Sequence, residues 1–367
     1  MIRDRKIYSK HIDSVIIICV TIIFFIGLLF LYSASYSLSE QTSKSFVLRQ
    51  IMWMIVSVFF VMIILAIDYQ RLIDFSYVFY VINLALLVMV LFIGSRRYGA
   101  VRWISFAGIS FQPSEFIKIS FILALASYLG YKKDTRNNVG GIFVPLLIML
   151  PAFALIVIEP DLGTALILVP ILLAMIFVAG VNLKPIIFFI SSGVLCAPIF
   201  WNFLKGYQKK RLLVFIKPDL DPLGAGYTII QSKIAVGSGQ IFGKGWLSGT
   251  QNQLNFLPER HTDFIFSVVG EEWGFIGSAI LILLYFTIIY RGIRIISETS
   301  DFYGKTVATG IVALFAFQVV VNIGMTIGLL PVVGLTLPFI SYGGSSLISF
   351  MIAIGVLLNI GMRRPLF

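Results

Sequence analysis

Long apolar runs alternate with short polar breaks along almost the whole chain. A bilayer core takes about 20 apolar residues per helix. Runs near that length fall at 14–34, 48–67, 74–94, 112–130, 142–158, 161–180, 185–203, 263–290, 305–326 and 343–361. The pattern predicts an all-α integral membrane protein with about ten transmembrane helices, forming a single polytopic membrane domain over residues 1–367. The one sizeable segment outside the runs, 204–262, is expected to be a large extracellular loop within that domain. The first run follows Arg3, Arg5, Lys6 and Lys10 and is trailed by the small residues Ser33-Ala34-Ser35. It is longer than the apolar part of a signal peptide, so it reads as an uncleaved span.

Composition agrees with the pattern. Of 367 residues, 59% are hydrophobic and 12% charged, about half the charge density of a soluble chain. Cys19 and Cys196 both lie in apolar runs and read as small hydrophobes, with no disulfide and no metal site. His11 and His261 are the only histidines, which excludes a histidine-rich metal centre. No internal repeat, Walker motif, dinucleotide fingerprint or Ser-His-Asp arrangement is present, and nothing points to nucleic acid.

Charge sets the orientation. Short loops rich in Lys and Arg stay cytoplasmic, whereas long loops cross largely regardless of charge. With the N-terminus inside, 14 of the 28 basic residues fall on the cytoplasmic side, 6 fall outside, and the rest sit in 204–262. Both termini are therefore expected in the cytoplasm. The outer face nevertheless keeps Arg96, Arg97 and Arg102 in one loop, and Lys205, Lys209, Lys210, Arg211, Lys217, Lys233, Lys244 and Arg260 in the long one. Together with the net charge of +11, this favours an anionic partner at that surface, whether lipid headgroups or a phosphate-bearing substrate.

Ionisable residues at membrane depth are costly and point to function by default. Glu115 and Lys118, in Gln112-Pro-Ser-Glu-Phe-Ile-Lys118, share one helix face and can pair. Asp161, in Glu159-Pro-Asp-Leu-Gly-Thr164, suits a helix cap, and its depth matches that of Lys118. Glu259, Arg260, His261 and Asp263 crowd the mouth of the eighth span, where Asp263 also has the position of an N-cap. Glu271 and Glu272 follow about 12 Å further along that helix and call for partners. The turn Gly237-Ser-Gly-Gln-Ile-Phe-Gly-Lys-Gly245 reads as a flexible loop, with phosphate cradling by its N–H groups as the sharper alternative. Ser341, Ser345 and Ser346, in the last outer loop, are candidates to cap the tenth span. The sum is an outer-facing cavity of carboxylates and basic groups opening on lipid, suited to a substrate with an anionic head and a lipid tail.

These motifs resemble those of the SEDS family (shape, elongation, division and sporulation) over essentially the whole chain. The resemblance rests on Tyr32-Ser-Ala-Ser35, Arg102-Trp-Ile104, Gln112–Lys118 and Glu159–Thr164. It also rests on Asn255-Phe-Leu-Pro-Glu-Arg-His-Thr-Asp-Phe-Ile-Phe-Ser-Val-Val-Gly-Glu-Glu-Trp-Gly274 and on Pro338-Phe-Ile-Ser-Tyr-Gly-Gly-Ser-Ser-Leu347. The Glu-Glu-Trp-Gly ending and the short cytoplasmic tail look closer to the rod-elongation branch than to the division branch.

The resemblance implies a peptidoglycan glycosyltransferase of the bacterial cell membrane that polymerises lipid II into a lipid-linked glycan. Its implied partners are a class B penicillin-binding protein and the elongation machinery. The family's catalytic aspartate falls on Asp263, and its cavity residues on Glu115, Lys118 and Asp161, with Arg102 and Trp103 beside them. Glu259, Arg260, His261 and Ser341 complete the expected site. Asp263 is expected to act as base directly or through a divalent cation (Mg2+ or Mn2+), and Lys118 and Asp161 to hold each other in place. Arg102, Lys118 and Arg260 are expected to balance the departing pyrophosphate. The competing readings are a flippase for the same lipid and a non-catalytic scaffold of the cell-wall synthase.

Overall fold

The computed structural model describes residues 12–36, 40–97, 100–106, 109–131, 140–181, 187, 191–193, 195–196, 198, 202, 206–217, 220–221 and 224–363. Most of the span expected at 185–203 lies outside these residues, as do Lys132, Lys133, Arg136, Lys184 and Lys205.

The other expected spans are helices. They are α1 (Ser14–Tyr36), α2 (Glu40–Ala66), α4 (Ser76–Ile93), α5 (Pro113–Tyr131), α6 (Gly140–Ile158) and α7 (Leu162–Val178), then α11 (Ile265–Glu298), α12 (Phe302–Thr326) and α13 (Gly344–Met362). A short α3 (Tyr69–Asp74), capped by Asp68, links α2 to α4. Six of these helices are long and apolar enough to cross a membrane, and Ile142–Ile158 and Leu162–Val178 are shorter apolar helices. The centre is built on α12 and α13: α13 packs along α2, and α12 lies against α11, α7 and α5.

Side-chain pairs fix which helix ends lie together. Arg291 near the end of α11 grips Asp13 before α1, with Nε at 2.9 Å and Nη2 at 2.6 Å from Oδ2. Tyr69 donates to Asp301 ahead of α12 at 3.0 Å, and Arg363 after α13 reaches Asp68 at 3.0 Å. Asp13 and Arg363 thus share one end of the bundle, as the orientation read from charge requires.

The opposite end holds a feature that hydropathy did not predict. Residues 95–111 form an antiparallel meander of β1 (Ser95–Arg97), β2 (Ala100–Phe106) and β3 (Ile109–Phe111). Ser95 pairs with Trp103 and Ile104 with Phe111, with a bulge between Ser95 and Arg96.

Part of the segment 204–262 packs deep against the bundle. It contains α8 (Gly206–Ile216), α9 (Ala225–Ser238) and α10 (Thr250–Gln253). α9 lies along the first turns of α11, with Ser232 Oγ 2.7 Å from Ser267 Oγ. Beyond it, residues 239–245 reverse direction at the level of Gly274, about 16 Å along the helix from Asp263.

α11 breaks at that level, where Gly274 adopts φ 64° and ψ −156°. The break strands the carbonyls of Glu271 and Glu272 and the N–H groups of Phe275 and Ile276. The reversing turn satisfies all four. Lys244 N donates to Glu271 O and Gly245 N to Glu272 O, each at 3.0 Å, while Phe275 N donates to Gln240 O at 2.8 Å and Ile276 N to Ile241 O at 3.1 Å. Irregular backbone at membrane depth survives only when protein satisfies it in this way. The glycine-rich turn is therefore a packed splice in α11 rather than a flexible loop or a phosphate cradle.

Candidate functional site

Asp263 lies just ahead of α11, in a tight turn wound about Glu259. The N–H groups of Thr262, Asp263 and Phe264 all donate to the Glu259 carbonyl, at 3.1, 3.1 and 3.3 Å. Glu259 itself adopts φ 50°, a left-handed conformation that lets one carbonyl collect three donors. The N-cap of α11 is Phe264, with no side-chain capping bond, so the Asp263 carboxylate is not used as a cap. It lies half-buried against the loop after α12, where a Cβ on Gly334 would sit 3.4 Å from Oδ2. Burial, then Glu259, push its pKa up to about 6; Arg211 opposes this, Asp161 adds to it and Arg102 opposes it. The site therefore draws on α8, the α7 cap, β2 and the turn before α11.

Arg102 and Asp161 form the second part. Asp161 caps α7, accepting from Thr164 N at 3.4 Å and Thr164 Oγ1 at 3.0 Å. It also faces Arg102, with Nη1 to Oδ1 at 3.7 Å, and Gln112 Nε2 at 3.5 Å. The cap and the charged site residue are thus one side chain. Arg102 Nε donates to Glu159 O at 3.3 Å and its Nη2 to Pro160 O, so the guanidinium clamps the turn that carries Asp161. Trp103, next on β2, is half-buried. Glu159 is fully buried, and among the described residues neither carboxylate oxygen has a hydrogen-bond partner. Burial, and then Asp161, raise its pKa to about 8, against the pull of Arg102.

The expected pairing of Lys118 with Asp161 does not form. Lys118 is fully buried one level deeper, donating to Glu115 Oε2 at 2.9 Å and Gln318 Oε1 at 3.2 Å, with its ammonium 5.4 Å from the centre of the Phe350 ring. A carboxylate three residues away on the same helix satisfies the ammonium locally, whereas Asp161 is committed to Arg102 and its cap.

Three further expected site residues serve as braces. Arg260 is buried and donates from Nε to Ala34 O at 2.5 Å, at the end of α1. This ties the turn before α11 to the end of α1. The His261 ring packs 5.3 Å from Phe46 and 6.3 Å from Tyr342, and burial lowers its pKa. Ser341 is buried, donating to Thr262 O at 2.5 Å and accepting from Leu337 N at 2.7 Å. It ties the loop after α12 to the Asp263 turn and does not cap α13, whose N-cap is Gly343. Ser345 accepts from Gln112 N at 3.0 Å, and Ser346 lies 2.7 Å from Thr336 Oγ1.

Glu271 and Glu272 find the partners their burial demands. Lys244 Nζ, Gln251 N and Thr250 Oγ1 meet Glu271 Oε1 at 2.8, 3.0 and 3.1 Å. Ser33 donates to Glu272 Oε1, and Asn252 Nδ2 approaches the same atom at 3.4 Å. Lys244, Lys210 and Arg102, expected to meet an external anion, each face a carboxylate of the chain itself.

Sequence reasoning passed over Gln318 and Asn322. They are polar residues four apart in an apolar run, which is itself the signal of a shared buried face.

Among the described residues no group of three or more His, Cys, Asp or Glu side chains is arranged to hold a metal ion. The half-buried Asp263 carboxylate fits Mg2+ held by one protein ligand together with substrate oxygens, but not an all-protein cage.

Comparison with known proteins agrees with this fold. The family model described as "Cell cycle protein", covering FtsW, RodA and SpoVE, matches residues 13–365. Stage V sporulation protein E of Bacillus subtilis (strain 168) is 40% identical over 361 residues, covering 95% of this chain and 96% of that protein. Peptidoglycan glycosyltransferase MrdB of Escherichia coli (strain K12) is 43% identical over 290 residues, covering 78% of each chain. Among solved structures, a chain of a peptidoglycan synthase complex described as coordinating polymerization and crosslinking superposes with TM-score 0.82 at 30% identity, covering 95% of this chain and 97% of that one. The crystal structure of Thermus thermophilus rod shape determining protein RodA gives TM-score 0.72 at 28% identity, covering 96% and 97%. The chain belongs to the FtsW/RodA/SpoVE family, the SEDS proteins, and is a multi-pass helical protein of the bacterial cell membrane.

Proposed function

We propose that this protein is a peptidoglycan glycosyltransferase that polymerises lipid II at the outer face of the membrane, with Asp263 as its base. The observation that carries the reading is the state of Asp263. Its carboxylate is half-buried, is not used as a helix cap, and has a pKa of about 6, set among Glu259, Asp161, Arg211 and Arg102. A base poised near the working pH suits abstraction from a hydroxyl.

In the mechanism, Asp263 takes the proton of the acceptor sugar's 4-hydroxyl. That oxygen attacks the anomeric carbon of the lipid-linked donor, the bond to the phosphate oxygen breaks, and the lipid pyrophosphate leaves. A single displacement inverts α to β and needs one base. Arg102 and Arg211 are the cations nearest in effect to Asp263 and are suited to balance the departing charge. A divalent cation would be held by Asp263 together with substrate oxygens, and when bound would supply further charge neutralisation.

The partner is a class B penicillin-binding protein, a reading supported by the likeness to a synthase complex of polymerization and crosslinking. An elongation role rests on the Glu271-Glu272-Trp273-Gly274 motif. Labelled lipid II, given to the purified protein with such a partner, tests the reading. A glycan ladder that vanishes in Asp263→Ala supports it. Transbilayer movement of lipid II without polymer would replace it with a flippase.

A further inference from the structure

α12 carries two primary amides, Gln318 and Asn322, one helical turn apart and both fully buried. A buried amide at membrane depth is costly unless it is hydrogen-bonded. Here both side chains reach the same stretch of the loop that follows the helix. Gln318 Nε2 donates to Thr336 O at 3.1 Å and approaches Thr336 Oγ1 at 3.2 Å, while its Oε1 accepts from Lys118 Nζ at 3.2 Å. Asn322 Nδ2 donates to Leu335 O at 2.5 Å and to Asp263 O at 3.0 Å.

One nitrogen, with its two hydrogens, therefore joins two chain segments that are remote in sequence. The first is the turn that carries Asp263. The second is the stretch 334–336, against which the Asp263 carboxylate lies. The Asp263 main chain is held on both sides, its N–H by the Glu259 carbonyl at 3.1 Å and its carbonyl by Asn322. Gln318 anchors the adjacent carbonyl of the same stretch to the buried Lys118–Glu115 pair, so the whole array has a fixed end inside the bundle.

We propose that Asn322 is a positioning residue for Asp263, holding the catalytic turn and the 334–336 stretch in register through two main-chain carbonyls. On this view Gln318, Lys118 and Glu115 form the anchor of that brace. The proposal rests on the reading of Asp263 as the base. Asn322 touches neither the carboxylate nor any reacting atom in this account, so it acts only through the main chain it holds. The geometry is particular to asparagine. Ser and Thr have one donor, an ionised Asp has none, and Gln places its nitrogen one methylene further out.

The test uses the full-length protein with its transpeptidase partner and lipid II. Asn322→Leu and Asn322→Asp keep the volume and remove the paired donors, and Asp263→Ala is measured beside them. A base displaced by about 1 Å loses rate and not affinity, so kcat is expected to fall about 10- to 100-fold in both variants while KM stays within about twofold. Amide hydrogen exchange should quicken at residues 259–264 and stay unchanged within α12.

Wild-type kcat in Asn322→Leu overturns the proposal. So does a loss of folded protein, or faster exchange throughout α12, in both variants, since either makes the residue merely structural. If Asp263→Ala itself retains full polymerisation, the base assignment fails, and that failure is distinct from the failure of the brace.

Discussion

Arg102 Nη1 stands 3.7 Å from Asp161 Oδ1, joining the middle strand of the β-meander to the first turn of α7. The same guanidinium holds the carbonyls of Glu159 and Pro160. It fixes both the backbone and the carboxylate of that turn, and it lies within the field of Asp263. Arg102→Ala should lower the polymerisation rate by about 100-fold or more. Arg102→Lys should recover little of it, because an ammonium cannot bond two carbonyls and a carboxylate in one plane. Initial rates on labelled lipid II check both variants, with a thermal midpoint in detergent to confirm folding.

Lys118 and Glu115 are both buried, and breaking the pair leaves one charge without its partner. Lys118→Met is expected to destabilise the protein by about 3–5 kcal/mol. The double variant Glu115→Gln with Lys118→Met should regain most of that loss, because it removes both charges. Thermal unfolding of the three proteins measures the difference. With Glu115→Gln alone measured as well, a double variant whose loss equals the sum of the two single losses would show that the pair is not coupled.

Glu159 gives a pH dependence of defined sign. Its carboxyl is buried without a hydrogen-bond partner, and its pKa is raised to about 8 from an ordinary value of 4.5. Between those two values the folded protein holds a proton that the unfolded chain releases, so this group's contribution to stability falls as pH rises through the window. Glu159→Gln keeps the neutral shape at every pH. Relative to wild type, the variant should gain stability between pH 5 and pH 8, by on the order of 1–3 kcal/mol. A pH series of unfolding midpoints for the two proteins reads this directly.

The splice at Gly274 predicts a contrast between two neighbouring glycines. A Cβ on Gly239 would collide with the Gly270 carbonyl, whereas one on Gly237 meets nothing within 4 Å. Gly239→Ala should therefore cost about 1–3 kcal/mol by forcing α9 off α11. Gly237→Ala, inside α9, should be neutral or stabilising by about 0.5–1 kcal/mol.

Much of this architecture was legible in the sequence, for physical reasons that also mark where legibility stopped. Nine of the ten expected spans coincide with helices because lipid demands one long apolar run per crossing. The charges at Glu115, Lys118, Asp161, Asp263, Glu271 and Glu272 stood out because charge at that depth is expensive. Their partners were not legible. Lys244 reaches Glu271 only because a turn of 204–262 folds in to the level of Gly274, and Ser33 reaches Glu272 because α1 packs against α11; nothing local to either glutamate encodes those approaches. The strands of 95–111 escaped notice because they are three to seven residues long and carry no clear alternation. Gln318 and Asn322 carry no charge, so the cost that singles out ionisable residues at membrane depth does not single them out, although a buried amide raises the same question of where its donors go.

The pKa of about 6 at Asp263 has its own consequence for rate. The base must be ionised, so turnover should fall about tenfold per pH unit below that value and level off above it. Asp263→Glu should keep an acid limb but lose rate, since the longer side chain displaces the carboxylate from Gly334.

Polymerisation of labelled lipid II by the purified protein with a class B penicillin-binding protein, wild type beside Asp263→Asn, tests the central claim most directly. Asparagine keeps the size of the side chain and removes the basic oxygen. The account predicts a full glycan ladder from the wild type and none from the variant, with the variant at least as thermally stable as the wild type. A ladder of normal rate and length from Asp263→Asn would contradict it.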